Sequence, residues 1–367
     1  MQKKIIFIAP KTSTLLNFRG QLMNDITNKK YEVVAIVPED GYDEEFKKLG
    51  VRKIVLKFNK TSLSPFASLK YLSGLKKILK EEKPDKVFSY AMKPVIFGSI
   101  AAHKAKVNEI YSLVCGLGYV YAVDSFKTKI LRLICGILYK HAFKYNKKVI
   151  FQNIDDINEF SKRKYIKKEK CELVNGSGVD LNIFKKNDLP NNNSFIMVSR
   201  IIKEKGVKEY FEAASIIKEK YPKTKFTYIG MYDKSYEKDF EALKKYIDKG
   251  IVEYIPETNK VADYVSKNAI FVLPSYYREG IPKTLLEATA MGRPIITTNT
   301  PGCRETVIDG VNGYFVNTKD VNDLVDKMEK MINNDNIKQM GNESYKICSE
   351  KFDIKIINDK MMEIMEI

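Results

Sequence analysis

The feature that most constrains this chain is a repeated alternation of short apolar runs with amphipathic stretches. The first half carries "KIIFIA", "YEVVAIV", "RKIVLK", "DKVFSY", "EIYSLV" and "KKVIFQ". The second half carries "SFIMVS", "KFTYIG", "IVEYIP", "AIFVLP", "RPIITT" and "NGYFVN". Such runs, rich in Val, Ile, Phe and Tyr, read as strands buried on both faces of a parallel sheet. Between them lie helical patterns such as 68–83, where Leu69, Leu72, Leu75, Ile78 and Leu79 share one face. Strand–helix alternation predicts an α/β architecture of two doubly wound, Rossmann-like parallel-sheet domains, with ligands bound where strand carboxyl ends open onto loops.

A length of 367 residues accommodates two domains. The Pro/Asn-rich stretch "FKKNDLPNNNS" at 184–194 reads as the linker. The expected division is 1–185, 186–350 and a C-terminal helix over 351–367, with packing against the N-terminal domain as one option. Two such domains facing each other enclose a cleft.

Five cysteines, odd in number and without a CxxC pair, argue for reduced thiols rather than a disulfide framework or a zinc site. The opening "MQKKIIFIAP" is too short for a signal peptide, and no apolar run reaches the roughly 18 residues needed to span a bilayer. The net charge of +17 is unevenly spread. Residues 1–185 hold 35 Lys and Arg against 18 Asp and Glu, whereas residues 186–367 hold 28 of each. That asymmetry predicts a first domain that meets a polyanion or an anionic membrane surface. Residues 126–148, "FKTKILRLICGILYKHAFKYNKK", are basic and apolar at helical spacing with no acid among them. They fit either a core helix with a lysine rim or a membrane-surface helix. No helix-turn-helix or aromatic-interleaved signature of nucleic-acid binding accompanies the charge.

The chemistry concentrates at predicted strand ends. In "SYYREGIPKTLLEATA" (275–290), Glu279 and Glu287 bracket Gly280, Ile281 and Pro282 at the start of a helix. Proline is favoured in a first helical turn, Gly280 allows close backbone approach, and the amides of Ile281, Lys283 and Thr284 with the helix dipole predict an anion site. Two acids beside a phosphate site are suited to hydroxyls flanking a diphosphate, which is the layout of a nucleotide-sugar. In "MVSRIIKEKGVKEY", Arg200 and Lys205 stand beside a glycine turn at another strand end and suit the same diphosphate. In the first domain, three loops lie on the expected cleft side. They carry Asn17 and Arg19 in "NFRG", Lys93 in "SYAMKP", and Gly116 and Gly118 in "LVCGLGYVY". No DxD motif suited to a metal–diphosphate complex occurs, and His103 and His141 fall inside helical patterns that read as structural.

"SRIIKEKGVKEY", "FVLPSYYREGIPKTLLEATAMGRPIITTNTPGCRETVIDGVNGYFV" and "NGSGVDLNIF" resemble the retaining glycosyltransferases of family 4, which have the GT-B fold. "YYREGIP", "GLGYVY" and "NFRG" are most similar to the branch that extends polyprenyl-diphosphate-linked sugars, N-acetylgalactosaminyltransferases among them. The resemblance implies a UDP-sugar donor, with UDP-N-acetylhexosamine the leading candidate, a polyprenyl-diphosphate-linked saccharide acceptor, and no metal or other cofactor. It implies that Arg200 and Lys205 hold the donor diphosphate, Glu287 the ribose hydroxyls, Glu279 the transferred sugar, and the 280–283 backbone phosphate and sugar. Many relatives place a histidine near the reacting sugar. This chain reads Met92-Lys93 there, which leaves Lys93 as the candidate. The basic first domain then meets the inner face of the cell membrane, each surface-near Lys or Arg adding roughly 1 kcal/mol. The alternatives are a UDP-GlcNAc 2-epimerase-like enzyme, which needs more cleft acids and histidines than two histidines supply, and a non-catalytic membrane- or nucleic-acid-binding protein.

Overall fold

The computed structural model of the chain describes residues 2–58, 64–122, 124–231 and 237–367. Two compact units emerge: Met1–Ser177 with Lys355–Ile367, and Gly178–Ile354. The first holds seven parallel strands in the order β3-β2-β1-β4-β5-β6-β7. These are β1 (Lys4–Ile8), β2 (Glu32–Val37), β3 (Val51–Val55), β4 (Lys86–Tyr90), β5 (Glu109–Val114), β6 (Lys148–Phe151) and β7 (Cys171–Leu173). The second holds six in the order β10-β9-β8-β11-β12-β13. They are β8 (Ser194–Val198), β9 (Lys225–Ile229), β10 (Glu253–Ile255), β11 (Ile270–Leu273), β12 (Ile295–Thr298) and β13 (Gly313–Val316). All twelve expected runs form strands; β7 is additional.

Side-chain alternation sorts each central strand onto two layers. In β1, Ile5 and Phe7 join a core that includes Met23, Ile26, Ile357 and Met361. Ile6 and Ile8 join the opposite one, with Tyr71, Leu75 and Leu79. Helices therefore cover both faces, as parallel sheets require. Strand order reverses between β1 and β4 and again between β8 and β11, the positions where such sheets open a crevice outside their carboxyl ends.

The division falls at Ser177 and Gly178, upstream of the expected boundary after 185. The Pro/Asn-rich stretch is strapped to the second unit. Arg293, fully buried, donates to the Asn187 carbonyl at 3.0 Å, and the Asn187 amide donates to Met291 O at 3.4 Å. The second unit ends at Ile354 because Val179 pairs there: its amide donates to Phe352 O at 2.9 Å and its carbonyl accepts from the Ile354 amide at 3.0 Å. The helix Ile354–Ile364 then returns to the first unit, where Asn358 donates to Asp25 Oδ2 at 2.7 Å beside the buried Met361 and Met362.

Candidate functional site

At the carboxyl ends of β8 and β11, two loops are stitched together. β8 runs into exposed Arg200, a 3-10 turn Lys203–Lys205, and the helix Val207–Lys220. The turn closes on Gly206, whose φ of 75° is left-handed and whose Cα faces Pro274 so closely that any Cβ would strike the Pro274 carbonyl. From the other side, the Tyr276 amide donates to Glu204 O at 2.8 Å. The Ser275 hydroxyl stands 3.3 Å from the same carbonyl and 3.2 Å from Glu279 Oε1. That junction brings the Lys205 ammonium onto the Glu279 carboxylate as an ion pair, the two side chains 9% and 18% exposed.

β12 completes the floor. The Thr298 and Thr300 hydroxyls both donate to the Ser275 carbonyl, the latter at 3.1 Å. Gly302, at φ 85°, packs against the Gly280 carbonyl where a Cβ has no room. Of the glycines at this site, Gly206 and Gly302 thus have the left-handed φ and the backbone contact that exclude a side chain, Gly206 against Pro274 and Gly302 against Gly280. Ser275, Thr298, Thr300 and Gly302 escaped the sequence reading, although "TTNTPGC" after a strand end was a legible polar loop.

The helix Lys283–Ala290 begins one residue later than expected, with Pro282 in extended backbone as its N-cap. The first helical bonds run from the Leu285 and Leu286 amides to Pro282 O, at 3.1 and 3.2 Å, so the Lys283 and Thr284 amides precede the ladder at the positive end of the helix dipole. Ile281 is buried in a cluster with Leu286, Ala290 and Phe352, which fixes the loop from below. Glu287 sits one turn into the helix and is 8% exposed. Burial pushes its carboxyl up to about 7, against the pull of Lys283, whose Nζ is 4.0 Å away. An acid and a lysine so arranged give a carboxylate that ionises within the physiological range and gains from hydroxyl donors.

In the first unit, the candidates gather at the ends of β1, β4 and β5. The stretch after β1, expected as a loop, is the helix Thr12–Asn28. Its first amide is capped by a distant acid: Thr12 N and Oγ1 each donate to Glu39 Oε2 at 2.8 Å. Asn17 is exposed on this helix, whereas Arg19 is buried, 2% exposed. Its Nε and Nη1 have no hydrogen-bond partner among the described residues. Burial lowers the Arg19 pKa against the stabilising pull of Cys115 and Tyr90. Lys93 follows Ala91, held at φ 65°, and leads into a π-helical turn Pro94–Gly98; burial keeps its ammonium below lysine's usual range. Gly116 and Gly118, at φ 101° and 63°, shape the turn after β5. His103 and His141 both pack on Tyr145, with ring centroids 3.8 and 5.3 Å away, which gives them a structural role. Among the described residues no cluster of three or more His, Cys, Asp or Glu side chains could hold a metal ion.

Residues 179–348 match the family of glycosyl transferases group 1, and residues 4–153 match the glycosyl transferase 4-like family. The chain is 30% identical to the N,N'-diacetylbacillosaminyl-diphospho-undecaprenol alpha-1,3-N-acetylgalactosaminyltransferase of Campylobacter jejuni, over 91% of each protein. It is 28% identical to the UDP-Gal:alpha-D-GlcNAc-diphosphoundecaprenol alpha-1,3-galactosyltransferase of Escherichia coli, over 83% of this chain and 81% of that one. Among solved structures, Anabaena HepE in complex with UDP and glucose superposes with a TM-score of 0.80 at 16% identity, over 100% of both chains. That likeness assigns the GT-B fold.

Proposed function

The chain belongs to the glycosyltransferases of group 1 with a type 4-like first half, and on that premise we propose that it moves a sugar from a UDP-sugar to a saccharide carried on a polyprenyl diphosphate. The observation that carries the donor reading is the junction of the β8, β11 and β12 ends, where Lys205, Glu279 and the amino end of the helix Lys283–Ala290 meet. Arg200, Lys205 and the amides from Gly280 to Lys283, with Thr284, receive the diphosphate; Glu287 accepts the ribose hydroxyls. Glu279, released from Lys205 by the incoming phosphate, accepts hydroxyls of the transferred sugar. The relatives' names, with an N-acetylgalactosaminyl- and a galactosyltransferase both acting on undecaprenol-linked sugars, support the acceptor class and favour an N-acetylhexosamine such as N-acetylgalactosamine as the transferred sugar.

In the reaction we propose, the bond from the sugar's anomeric carbon to the β-phosphate oxygen breaks. The acceptor oxygen joins the same face, and its proton passes to a β-phosphate oxygen, so the configuration is retained. No metal is needed, because Arg200, Lys205 and the helix dipole offset the charge on the leaving UDP. Lys93, half-buried just past the end of β4, serves the acceptor side together with the Asn17, Arg19 and Gly116–Gly118 segments. The enzyme works at the inner face of the cell membrane, where a lipid-linked acceptor resides.

The test supplies UDP-N-acetylgalactosamine with an undecaprenyl-diphosphate-linked saccharide and follows UDP release and product mass. Release that depends on the lipid-linked acceptor, an axial anomeric linkage by NMR, and indifference to EDTA are expected. Absence of UDP binding in calorimetry overturns the proposal.

A further inference from the structure

The helix Phe126–Phe143 is apolar on two opposite faces. Its Tyr139, Ala142 and Phe143 are buried in a core with Val95, Ile96 and Phe160. On the other side, Phe126, Ile130, Leu133, Ile134 and Ile137 are 81%, 45%, 61%, 48% and 60% exposed. At 3.6 residues per turn those five occupy an arc of about 100°. Exposed Lys127 and Lys129 flank the arc, and Lys140 and Lys144 continue it towards the carboxyl end. Those last two also line a hollow of about 480 Å³, together with Lys164, Lys167, Lys170 and Glu169.

A second exposed apolar pair lies on the same side of the sheet. Leu72 of the helix Pro65–Glu82 and Phe97 of the π-helical turn pack against both core clusters on that face, so the turn lies between this helix and Phe126–Phe143. At the start of Pro65–Glu82, Phe66 is 85% and Leu69 is 61% exposed. Both helices follow parallel strands, β3 and β5, so Phe66, Leu69 and Phe126 lie towards the carboxyl edge of the sheet, where ligands of such sheets bind.

We propose that this face docks on an anionic lipid bilayer, with the Phe126–Phe143 helix lying in the interface. The apolar arc enters the acyl boundary, Phe66 and Leu69 make a second contact, and the lysines meet lipid phosphates. Charge selects this occupant. Residues 126–148 carry seven Lys and Arg and no acid, so a second copy docked through the same face would set lysines against lysines. The inference deepens the membrane placement proposed above and rests on it, but its test uses neither sugar donor nor acceptor.

The chain contains no tryptophan, so Ile134→Trp installs a single reporter in the arc. Mixed with phosphatidylcholine vesicles containing phosphatidylglycerol, its emission should shift to the blue and be quenched by brominated acyl chains. Neither change should occur with phosphatidylcholine alone. In flotation with the same vesicles, Leu133→Glu/Ile137→Glu should bind at least about tenfold more weakly than the native chain, since each buried apolar side chain is worth about tenfold or more. Ile308→Glu, at an exposed apolar position in the second unit, should float like the native chain. Unchanged melting temperatures check that the variants fold. Flotation without a spectral shift, equal binding by the arc variant, or a native dimer that the arc variant splits in sedimentation velocity would overturn the proposal. If the glycosyltransfer reading alone fails, vesicle binding persists while no sugar is moved.

Discussion

Nucleotide binding should carry the pH signature of Glu287, and Glu287→Gln should erase it. Burial raises this carboxyl to about 7. If the ionised form accepts the ribose hydroxyls, only that fraction binds well, and near pH 5.5 it falls to about 3%, weakening UDP roughly thirtyfold relative to pH 8. UDP titrates in the same range through its own phosphate, so the informative quantity is the difference between native and Glu287→Gln profiles measured by calorimetry. The variant should bind more weakly at high pH and lose the extra dependence at low pH. The same group affects folding. Its folded pKa lies above the unfolded value, so the folded state holds the proton over the window from about 4.5 to 7, and stability falls as pH rises through it, by at most roughly 3.5 kcal/mol. Glu287→Gln should therefore raise the melting temperature above pH 7 and not near pH 4. Parallel binding profiles for the two proteins would refute the ribose role; parallel melting curves would refute the buried carboxyl.

The Lys205–Glu279 pair is nearly enclosed, so Lys205→Ala should cost about 1–3 kcal/mol by leaving a carboxylate short of a partner. A double-mutant cycle with Glu279→Ala in urea unfolding should recover a coupling of that order, and additive effects would dissolve the pair. Gly302→Ala forces a Cβ onto the Gly280 backbone, whereas Gly310→Ala, at φ 76°, has nothing within 4 Å. The first should lower the melting temperature far more than the second, which meets only the backbone cost of about 1–2 kcal/mol; equal losses would show that the 280–302 contact is soft. Removing residues 355–367 uncovers Ile5, Phe7 and Met23 in the first core, and dye binding to exposed apolar surface should rise sharply; a monomeric truncated chain with unchanged melting would contradict that.

Local patterns announced the strands because buried parallel strands are nearly continuous apolar runs, and twelve such runs were legible. β7 was not: "CEL" is three residues long, lies at a sheet edge and lacks an apolar run. The helix carrying Arg19 was hidden because its cap is Glu39, 27 residues away from Thr12. The donor-side loops could be found one by one, from glycines and charges at strand ends. Their union could not, since Lys205 meets Glu279 across 74 positions and Ser275 meets Thr298 across 23. The 126–148 segment fitted a core helix or a surface helix on sequence alone, and the structure displays both faces at once.

The division of the chain also orders its synthesis. The second unit, Gly178–Ile354, is continuous and leaves the ribosome whole, while the first unit lacks the helix Ile354–Ile364 until residues beyond 354 have emerged. The usual rule that the amino-terminal domain matures first is thus inverted in its final step. An early core with Met23 and Ile26 waiting for Ile357 and Met361 remains open while a complete domain forms downstream. Until that helix arrives, the nascent first unit exposes apolar surface that a holdase chaperone can cover.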